Sequence, residues 1–362
     1  MNALEHIPSA LTAHPEVMLA TVIGTSGSTP AGALSRMLIG PGRGRIAGTI
    51  GGGCIEADVI AAANRLAGTG RSAAMTFTLT EDHPESGMLC GGTLDVFIES
   101  LRAGDLPFFA PLCARREAGD DSIRGTASRS DGTILGRFIV PLDAAGALPA
   151  KGGTDPDLPD VLCAHEEVVL RAGAEIARGG GARRLALGDV TVVLERIGGA
   201  PSLLLFGGGH VSLAVCRIAS MAGFRVTVID DRPEYANAAR FPEAATTLAS
   251  DFLAAFPQLR VRPSSSIVIV TRGHKADELV LGEAVKTGAG YIGMIGSRTK
   301  VAATFDRLSA QGVPPGVLGR VHAPIGIDIG ASTPEEIAVS IVAELVHERR
   351  TPGTPLRFKS DH

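Results

Sequence analysis

Residues 202–211 read Ser202-Leu203-Leu204-Leu205-Phe206-Gly207-Gly208-Gly209-His210-Val211, and this stretch decides the fold. A short, unbroken apolar run ending in glycine marks a strand buried on both faces. Glycines then permit a tight turn, and a helix-like stretch follows from about Val211 to Met221. After Ala222-Gly223 a second strand, Arg225–Ile229, ends at Asp230-Asp231-Arg232. Further short strands are read at about Ala245–Ala249, Ile267–Val270 and Tyr291–Met294. The spans between them are long enough for crossover helices, among them Asp277–Lys286, stopped by Gly288. This alternation predicts a parallel sheet covered by helices.

Working outward, Thr333-Pro334-Glu335-Glu336 announces the last helix: threonine caps, proline suits the first position, and Glu336 completes a capping box. Ile337, Ile341 and Leu345 line one face of that helix, which should finish near Arg350, and 351–362 is expected to form a loose tail. Upstream, strands are read at Met18–Ile23 and Ser35–Ile39, with a Ser/Thr/Gly/Pro loop from Thr25 to Gly32 between them. Gly51-Gly52-Gly53-Cys54 opens a helix from about Ile55 to Leu66, and Cys90-Gly91-Gly92 precedes a strand at Thr93–Ile98. Residues 101–196 read as an irregular segment with a β pair around Asp131-Gly132 and strands near Val168 and Val192. The fold class is therefore α/β: an N-terminal α+β domain over 1–198 followed by a Rossmann-like parallel-sheet domain over 199–350.

Composition excludes several functions. The 362 residues carry 34 Lys plus Arg against 38 Asp plus Glu, so no basic field exists to hold nucleic acid or an anionic membrane. With 12 Phe, 2 Tyr and no Trp, stacking platforms for single strands are also excluded. The apolar runs are strand-sized, which speaks against stable membrane insertion. Without a visible secretory signal, and with five widely spaced cysteines, the expected location is the cytoplasm. The nine histidines are scattered, and no Cys-x-x-Cys pair, His-Glu-x-x-His run, Walker loop or Gly-x-Ser-x-Gly elbow occurs.

Gly207-x-Gly209 between strand and helix lets backbone N–H groups approach a phosphate, although Ser212 stands where the third glycine of a dinucleotide fingerprint belongs. Asp230, at the end of the next strand, is placed to accept ribose hydroxyls, and His210 puts an imidazole in the turn. After later strands come Thr271-Arg272-Gly273-His274-Lys275 and Gly296-Ser297-Arg298. In an open parallel sheet these groups converge beyond the carboxyl ends of the strands, where Ser297 and Arg298 suit a phosphate monoester. Cys54, following three glycines at a helix start, sits where the helix dipole favours thiolate, with Glu56 opposing in part. Cys90 has the mirror-image setting, whereas Cys113, Cys163 and Cys216 lack any such context.

The blocks Thr25-Ser26-Gly27-Ser28-Thr29-Pro30, Gly51-Gly52-Gly53-Cys54-Ile55-Glu56 and Cys90-Gly91-Gly92-Thr93-Leu94-Asp95-Val96 resemble the N-terminal domain of the xanthine dehydrogenase accessory factor (XdhC/CoxI) family. Phe206-Gly207-Gly208-Gly209-His210-Val211, Val228-Ile229-Asp230-Asp231-Arg232-Pro233, Ile295-Gly296-Ser297-Arg298 and Gly326-Ile327-Asp328-Ile329-Gly330 resemble its second half. The resemblance implies a chaperone rather than an independent catalyst. Such a protein binds molybdenum cofactor (molybdopterin) as cargo, protects it while a sulfido ligand is installed, and inserts it into a xanthine dehydrogenase-type molybdenum hydroxylase. The implied partners are the apo-hydroxylase and a cysteine desulfurase, and a homodimer is the expected assembly. On this reading Cys54, Glu56, Cys90, Gly207, Gly209, His210, Asp230, His274, Ser297 and Arg298 face the cofactor, with Cys54 contacting molybdenum. Two alternatives stay open: an NAD(P)-dependent oxidoreductase using Asp230 for ribose, and a thiol redox protein using Cys54 and Cys90.

Overall fold

A computed structural model of the chain describes residues 3–40, 42, 44–78, 92–143, 146–148, 158–351 and 353–354. The chain divides into two compact units, Met1–Gly199 and Ala200–His362. Among the described residues no helix is long and apolar enough to cross a membrane.

The first unit begins with helix α1 (Ile7–Ala13) and strands β1 (Glu16–Ser26), β2 (Arg36–Ile39) and β3 (Arg45–Gly48). Helix α2 (Gly53–Leu66), β4 (Ser72–Thr78), β5 (Thr93–Arg102) and helix α3 (Leu106–Glu117) follow. Among the described residues the strands form an antiparallel sheet in the order β3-β2-β1-β5-β4. Alternation along β1 sends Val17 and Leu19 towards α1 and α3, and Met18, Ala20 and Val22 towards Ile55, Val59 and Ala62 of α2.

A second antiparallel sheet, β7-β6-β9-β8, is built from β6 (Ser122–Arg129), β7 (Ile134–Pro141), β8 (Ala182–Leu187) and β9 (Val190–Ile197). Helix α4 (Glu166–Gly179) packs on it through Val169, Ala172 and Ile176. Residues 101–196, read from sequence as irregular, are thus regular over most of their described length. The strand expected near Val168 is the first turns of α4. Apolar groups recur there every three or four residues, and burial of that stripe overrides the β preference of Val168-Val169.

A buried ion network joins the two sheets. Arg124 on β6 bonds Glu195 on β9 at 2.5 Å and also bonds Glu99 on β5. Arg137 on β7 reaches Glu99 at 3.0 Å and Asp105 at 2.5 Å, and Arg36 on β2 pairs with Glu195. Three guanidiniums therefore meet three carboxylates, which is how charges this deeply buried are tolerated.

The second unit carries β10 (Ser202–Phe206), α5 (His210–Met221), β11 (Arg225–Asp230), β12 (Thr246–Ala249), α6 (Phe252–Ala255) and β13 (Ser265–Ile269). It continues with α7 (His274–Ala284), β14 (Tyr291–Met294), α8 (Arg298–Ala310), α9 (Pro315–Leu318) and α10 (Pro334–Arg350). All neighbours in the order β12-β11-β10-β13-β14 pair in parallel, the doubly wound arrangement with its switch point between β10 and β13. Leu203 and Leu205 face α5 and α10, while Leu204 and Phe206 face α7 and α8. Phe206 is level with Ile229 on one side and Ile269 on the other, so the chain leaves β10, β11 and β13 at one edge.

Candidate functional site

In the first unit the groups singled out by sequence gather around the start of α2. Gly51, Gly52 and Gly53 have φ values of +118°, +80° and +62°, a backbone run that side chains rarely adopt. Glu56, one turn into α2, reaches back over this loop. Its Oε1 accepts from the Thr49 hydroxyl at 2.5 Å and from the Ile50 and Gly52 amides at 3.2 Å each. Gly51 N–H donates to Thr49 Oγ1, and Arg45 stands 3.5 Å from Glu56 Oε2. Burial works against ionisation of Glu56, but these bonds outweigh it and hold the carboxyl below its ordinary range. The carboxylate is committed to shaping the glycine loop.

The loop after β1 links the two cysteine-glycine motifs. A Cβ on Gly51 would lie 2.7 Å from Pro30 Cγ, and a Cβ on Gly92 would lie 2.4 Å from the Ser28 carbonyl oxygen. Both glycines are therefore pressed against residues 26–30. The backbone of Cys54 lies in the first turn of α2. Its side chain, and all of Cys90, lie outside the described residues. Of the other thiols, Cys216 is fully buried in α5 and burial pushes it up to about 11. Cys113 is also raised by burial and by Glu117, with its thiol directed at the Leu4 carbonyl oxygen, and Cys163 is exposed. Among the described residues no group of three or more His, Cys, Asp or Glu side chains is placed to hold a metal ion.

In the second unit the polar groups line the carboxyl edge of the parallel sheet. Gly207 has φ +106°, and a Cβ there would sit 2.2 Å from the Val270 carbonyl oxygen. Gly208 is required for a different reason: its Cβ would lie 2.1 Å from the Tyr235 carbonyl oxygen. Gly209 faces open space and caps α5, while His210 is the exposed first residue of that helix. Ser212, in the third-glycine position, is fully buried and its hydroxyl has no hydrogen-bond partner among the described residues.

Asp230 is nearly fully buried and accepts four hydrogen bonds. Gly208 N–H donates to it at 2.8 Å, and Arg232 donates through its backbone N–H at 3.1 Å, Nε at 2.9 Å and Nη2 at 3.1 Å. Burial opposes ionisation here too, yet the bonds from Arg232 and Gly208 keep the carboxyl below its ordinary range. All four lone-pair directions are occupied by this chain's own donors.

The next two strand ends meet in a groove of about 660 Å³ between α7 and α8. His274 and Ser297 line it with Lys275, Glu278, Thr299, Lys300, Ala303 and Arg307. Helix α7 begins three residues earlier than the sequence suggests, so His274 is its first residue. Ser297 caps α8 by accepting from Lys300 N–H at 3.3 Å. Lys300 Nζ bonds the fully buried Asp277 at 2.6 Å, and Asp277 in turn accepts from the Thr271 hydroxyl at 2.5 Å and its amide at 3.2 Å. Arg307 pairs with Glu278. Arg298 is exposed at the first position of α8 and lies outside the groove lining. Lys300 and Arg307 were not singled out from sequence, although their spacing from Ser297 puts them on one helix face.

A further cluster escaped sequence reading. Glu344 on α10 accepts from Tyr291 Oη at 2.8 Å and Gly326 N–H at 2.6 Å, and lies 2.9 Å from His322 Nδ1. The Tyr291 and His322 rings stack with centroids 4.5 Å apart. The bond from Glu344 raises His322 above its ordinary value, and that acid is itself lowered despite burial. This cluster pins the start of the Gly326–Gly330 loop onto α10.

Comparison with known proteins places these features in a family context. The family model described as the XdhC Rossmann domain matches residues 203–345, and that of the XdhC and CoxI family matches residues 10–78. Over 345 residues the chain is 28% identical to a Bacillus subtilis (strain 168) protein named as a probable xanthine dehydrogenase subunit, covering 92% of this chain and 94% of the relative. Over 176 residues it is 34% identical to protein YqeB of Escherichia coli (strain K12), covering 48% of this chain. The match spans only 32% of YqeB's length. The crystal structure titled as a xanthine dehydrogenase from Bacillus halodurans shares the fold, with a TM-score of 0.73, 22% identity and 98% of each chain covered.

Proposed function

Because the chain belongs to the XdhC and CoxI family, we propose that it is an accessory factor of a xanthine dehydrogenase-type molybdenum hydroxylase. On this reading it binds molybdenum cofactor as cargo, protects it during sulfuration and inserts it into the apo-hydroxylase. A cysteine desulfurase supplies the sulfur, and two chains pair. The Bacillus subtilis relative is named as part of such an enzyme, which fits direct contact with the client.

The observation that carries the proposal is the polar groove between α7 and α8 in the second unit, in which Lys275 has no ion pair among the described residues. Two helix starts, the Ser297 hydroxyl and the side chains of His274 and Lys275 suit the terminal phosphate of a pyranopterin, with Lys300 held beside them by Asp277. In the first unit, Cys54 at the second position of α2 suits a soft metal or a sulfur atom. A plain NAD site is less favoured, since the Asp230 carboxylate is already filled by Arg232 and Gly208.

The test is to incubate the purified chain with molybdenum cofactor released from a hydroxylase, remove unbound material, and measure molybdenum and the oxidised pterin's fluorescence. Both should elute with the protein in equal amounts, Lys275→Gln should weaken retention, and the loaded chain should activate apo-hydroxylase. If the chain retains neither and gives no activation, the proposal fails.

A further inference from the structure

At the end of β11 the side chains are set for an anion. Arg232 is pinned by Asp230 and lies flat on Tyr235, its guanidinium carbon 3.5 Å from the ring centroid. Arg240 approaches the same ring at 5.0 Å and donates Nε to the Gly208 carbonyl oxygen at 3.1 Å. Two guanidiniums thus share one tyrosine and one glycine turn.

The carboxylates facing them are Asp230 and Asp231. Asp230 is filled as described, and Asp231 bonds Arg272 at 2.9 Å. Among the described residues Arg232 and Arg272 have ion-pair partners in these two acids, and Arg240 has none. Arg240 Nη2 is buried and has no hydrogen-bond acceptor among the described residues. A buried charged donor is costly without an acceptor, and an anion supplies one. The start of α5 and the Gly209 amide, unshared among the described residues, add to the positive potential.

We infer that the carboxyl edge of the sheet beside the glycine turn takes a phosphate monoester read by Arg232 and Arg240, where a plain NAD site would read a ribose diol. The group is one that a nucleotide or a phosphorylated pterin carries. Tyr235 and Asp230 position the two arginines, and neither Arg232, Tyr235 nor Arg240 belongs to the groove between α7 and α8.

The experiment uses the full chain and two probe pairs that differ only in the phosphate. One pair is NADP and NAD, titrated by calorimetry. The other is the oxidised, fluorescent pterin phosphate from a molybdenum hydroxylase and its phosphatase-treated form, titrated by anisotropy. In at least one pair the phosphorylated member should bind about tenfold tighter or more, the size that a charge-assisted hydrogen bond supplies. Arg232→Gln and Arg240→Gln should each shrink that preference to about threefold or less, and Arg240→Lys should restore part of it. Thermal melting of each variant confirms that it remains folded. Preference in the NADP pair alone supports the inference while leaving the cargo proposal unsupported, and preference in the pterin pair alone supports the inference and the cargo while moving the cargo's phosphate from the groove between α7 and α8 to Arg232 and Arg240. Equal binding within both pairs, no binding of any probe, or a preference that survives both folded glutamine variants would overturn it.

Discussion

Asp230→Asn is the most informative single substitution, because the side chain keeps its shape while the charge and one acceptor are lost. Asp230 Oδ2 accepts from Gly208 N–H and Arg232 Nη2, and Oδ1 accepts from the Arg232 backbone N–H and Nε. Whichever way the amide turns, its NH2 faces two donors. Losing two charge-assisted bonds would cost about 3–5 kcal/mol if neither donor found water. The Arg232 side chain is 22% exposed and can turn outward, so about 2–4 kcal/mol is expected. The composition offers a clean assay. The chain has no Trp and only two Tyr, Tyr235 and Tyr291, both in the second unit. Tyrosine fluorescence in a urea titration therefore follows that unit alone. With a slope of about 2 kcal/mol per M, the midpoint should fall by about 1–2 M. Asp231→Asn, which weakens the exposed pairing to Arg272 and a longer 3.7 Å pairing to Arg232, should cost less than about 0.5 kcal/mol. The sign with pH follows from the lowered carboxyl: its stabilisation is full above the ordinary aspartate range and is lost as pH falls through the folded-state value. The variant should lack that acid-limb loss. A midpoint shift under about 0.3 M for Asp230→Asn would refute the account of this carboxylate as the clamp of the glycine turn.

Other substitutions discriminate in the same way. Gly207→Ala should destabilise the second unit by more than about 2 kcal/mol, since both its φ and the Val270 carbonyl oppose a Cβ, whereas Gly209→Ala should leave the tyrosine-monitored midpoint unchanged. Glu56→Ala should cost about 1–3 kcal/mol in the first unit by stranding the Ile50 and Gly52 amides, read by circular dichroism, and wild-type stability should fall as pH drops through the lowered Glu56 value. Arg124→Met should lower first-unit stability by about 3–5 kcal/mol by leaving Glu99 and Glu195 buried with one cation fewer, again visible in a denaturant titration. His322 contributes fully below its ordinary value and loses its contribution as pH rises through the raised one, while Glu344 loses its own as pH falls. Glu344→Gln should therefore destabilise the tyrosine-monitored unit most between about pH 5 and 6.5 and less at about pH 8.5.

What could be read from sequence depended on how local the governing physics is. Strand Ser202–Phe206, strand Tyr291–Met294 and the Thr333 capping box follow from apolar runs and cap chemistry within a few residues. Helix α3 escaped notice because Pro107 and Pro111 break the pattern, although tertiary packing of Phe109 and Leu112 keeps it helical. The Arg124–Glu99–Glu195 network and the Tyr291–His322–Glu344 cluster join residues dozens of positions apart, and nothing in spacing announces them. At the candidate site, sequence named His274 and Ser297, which the fold brings to one groove. The partners that commit Asp230 and Glu56 could not be read, because hydrogen-bond saturation is a property of three-dimensional neighbours.

The two triple-glycine motifs show why that distinction matters for function. In sequence, Gly51-Gly52-Gly53-Cys54 and Gly207-Gly208-Gly209-His210 look alike, each opening a helix. In the first, the Ile50, Gly51 and Gly52 amides all donate to Glu56 or Thr49. Those donors are spent, so the loop is a rigid mount for the helix start rather than a phosphate cradle. In the second, Gly207 and Gly208 are consumed by close packing and by bonds to Ile229 and Asp230, while the Gly209 amide stays unshared among the described residues at the start of α5. Among the described residues, an unshared glycine amide is thus offered to an anion by the second motif, and none is offered by Ile50, Gly51 or Gly52 in the first. If exchanging Glu56 for Gln gave the first unit new affinity for inorganic phosphate, measured by calorimetry, the division of labour would be wrong; the expected result is lower stability with no phosphate binding gained.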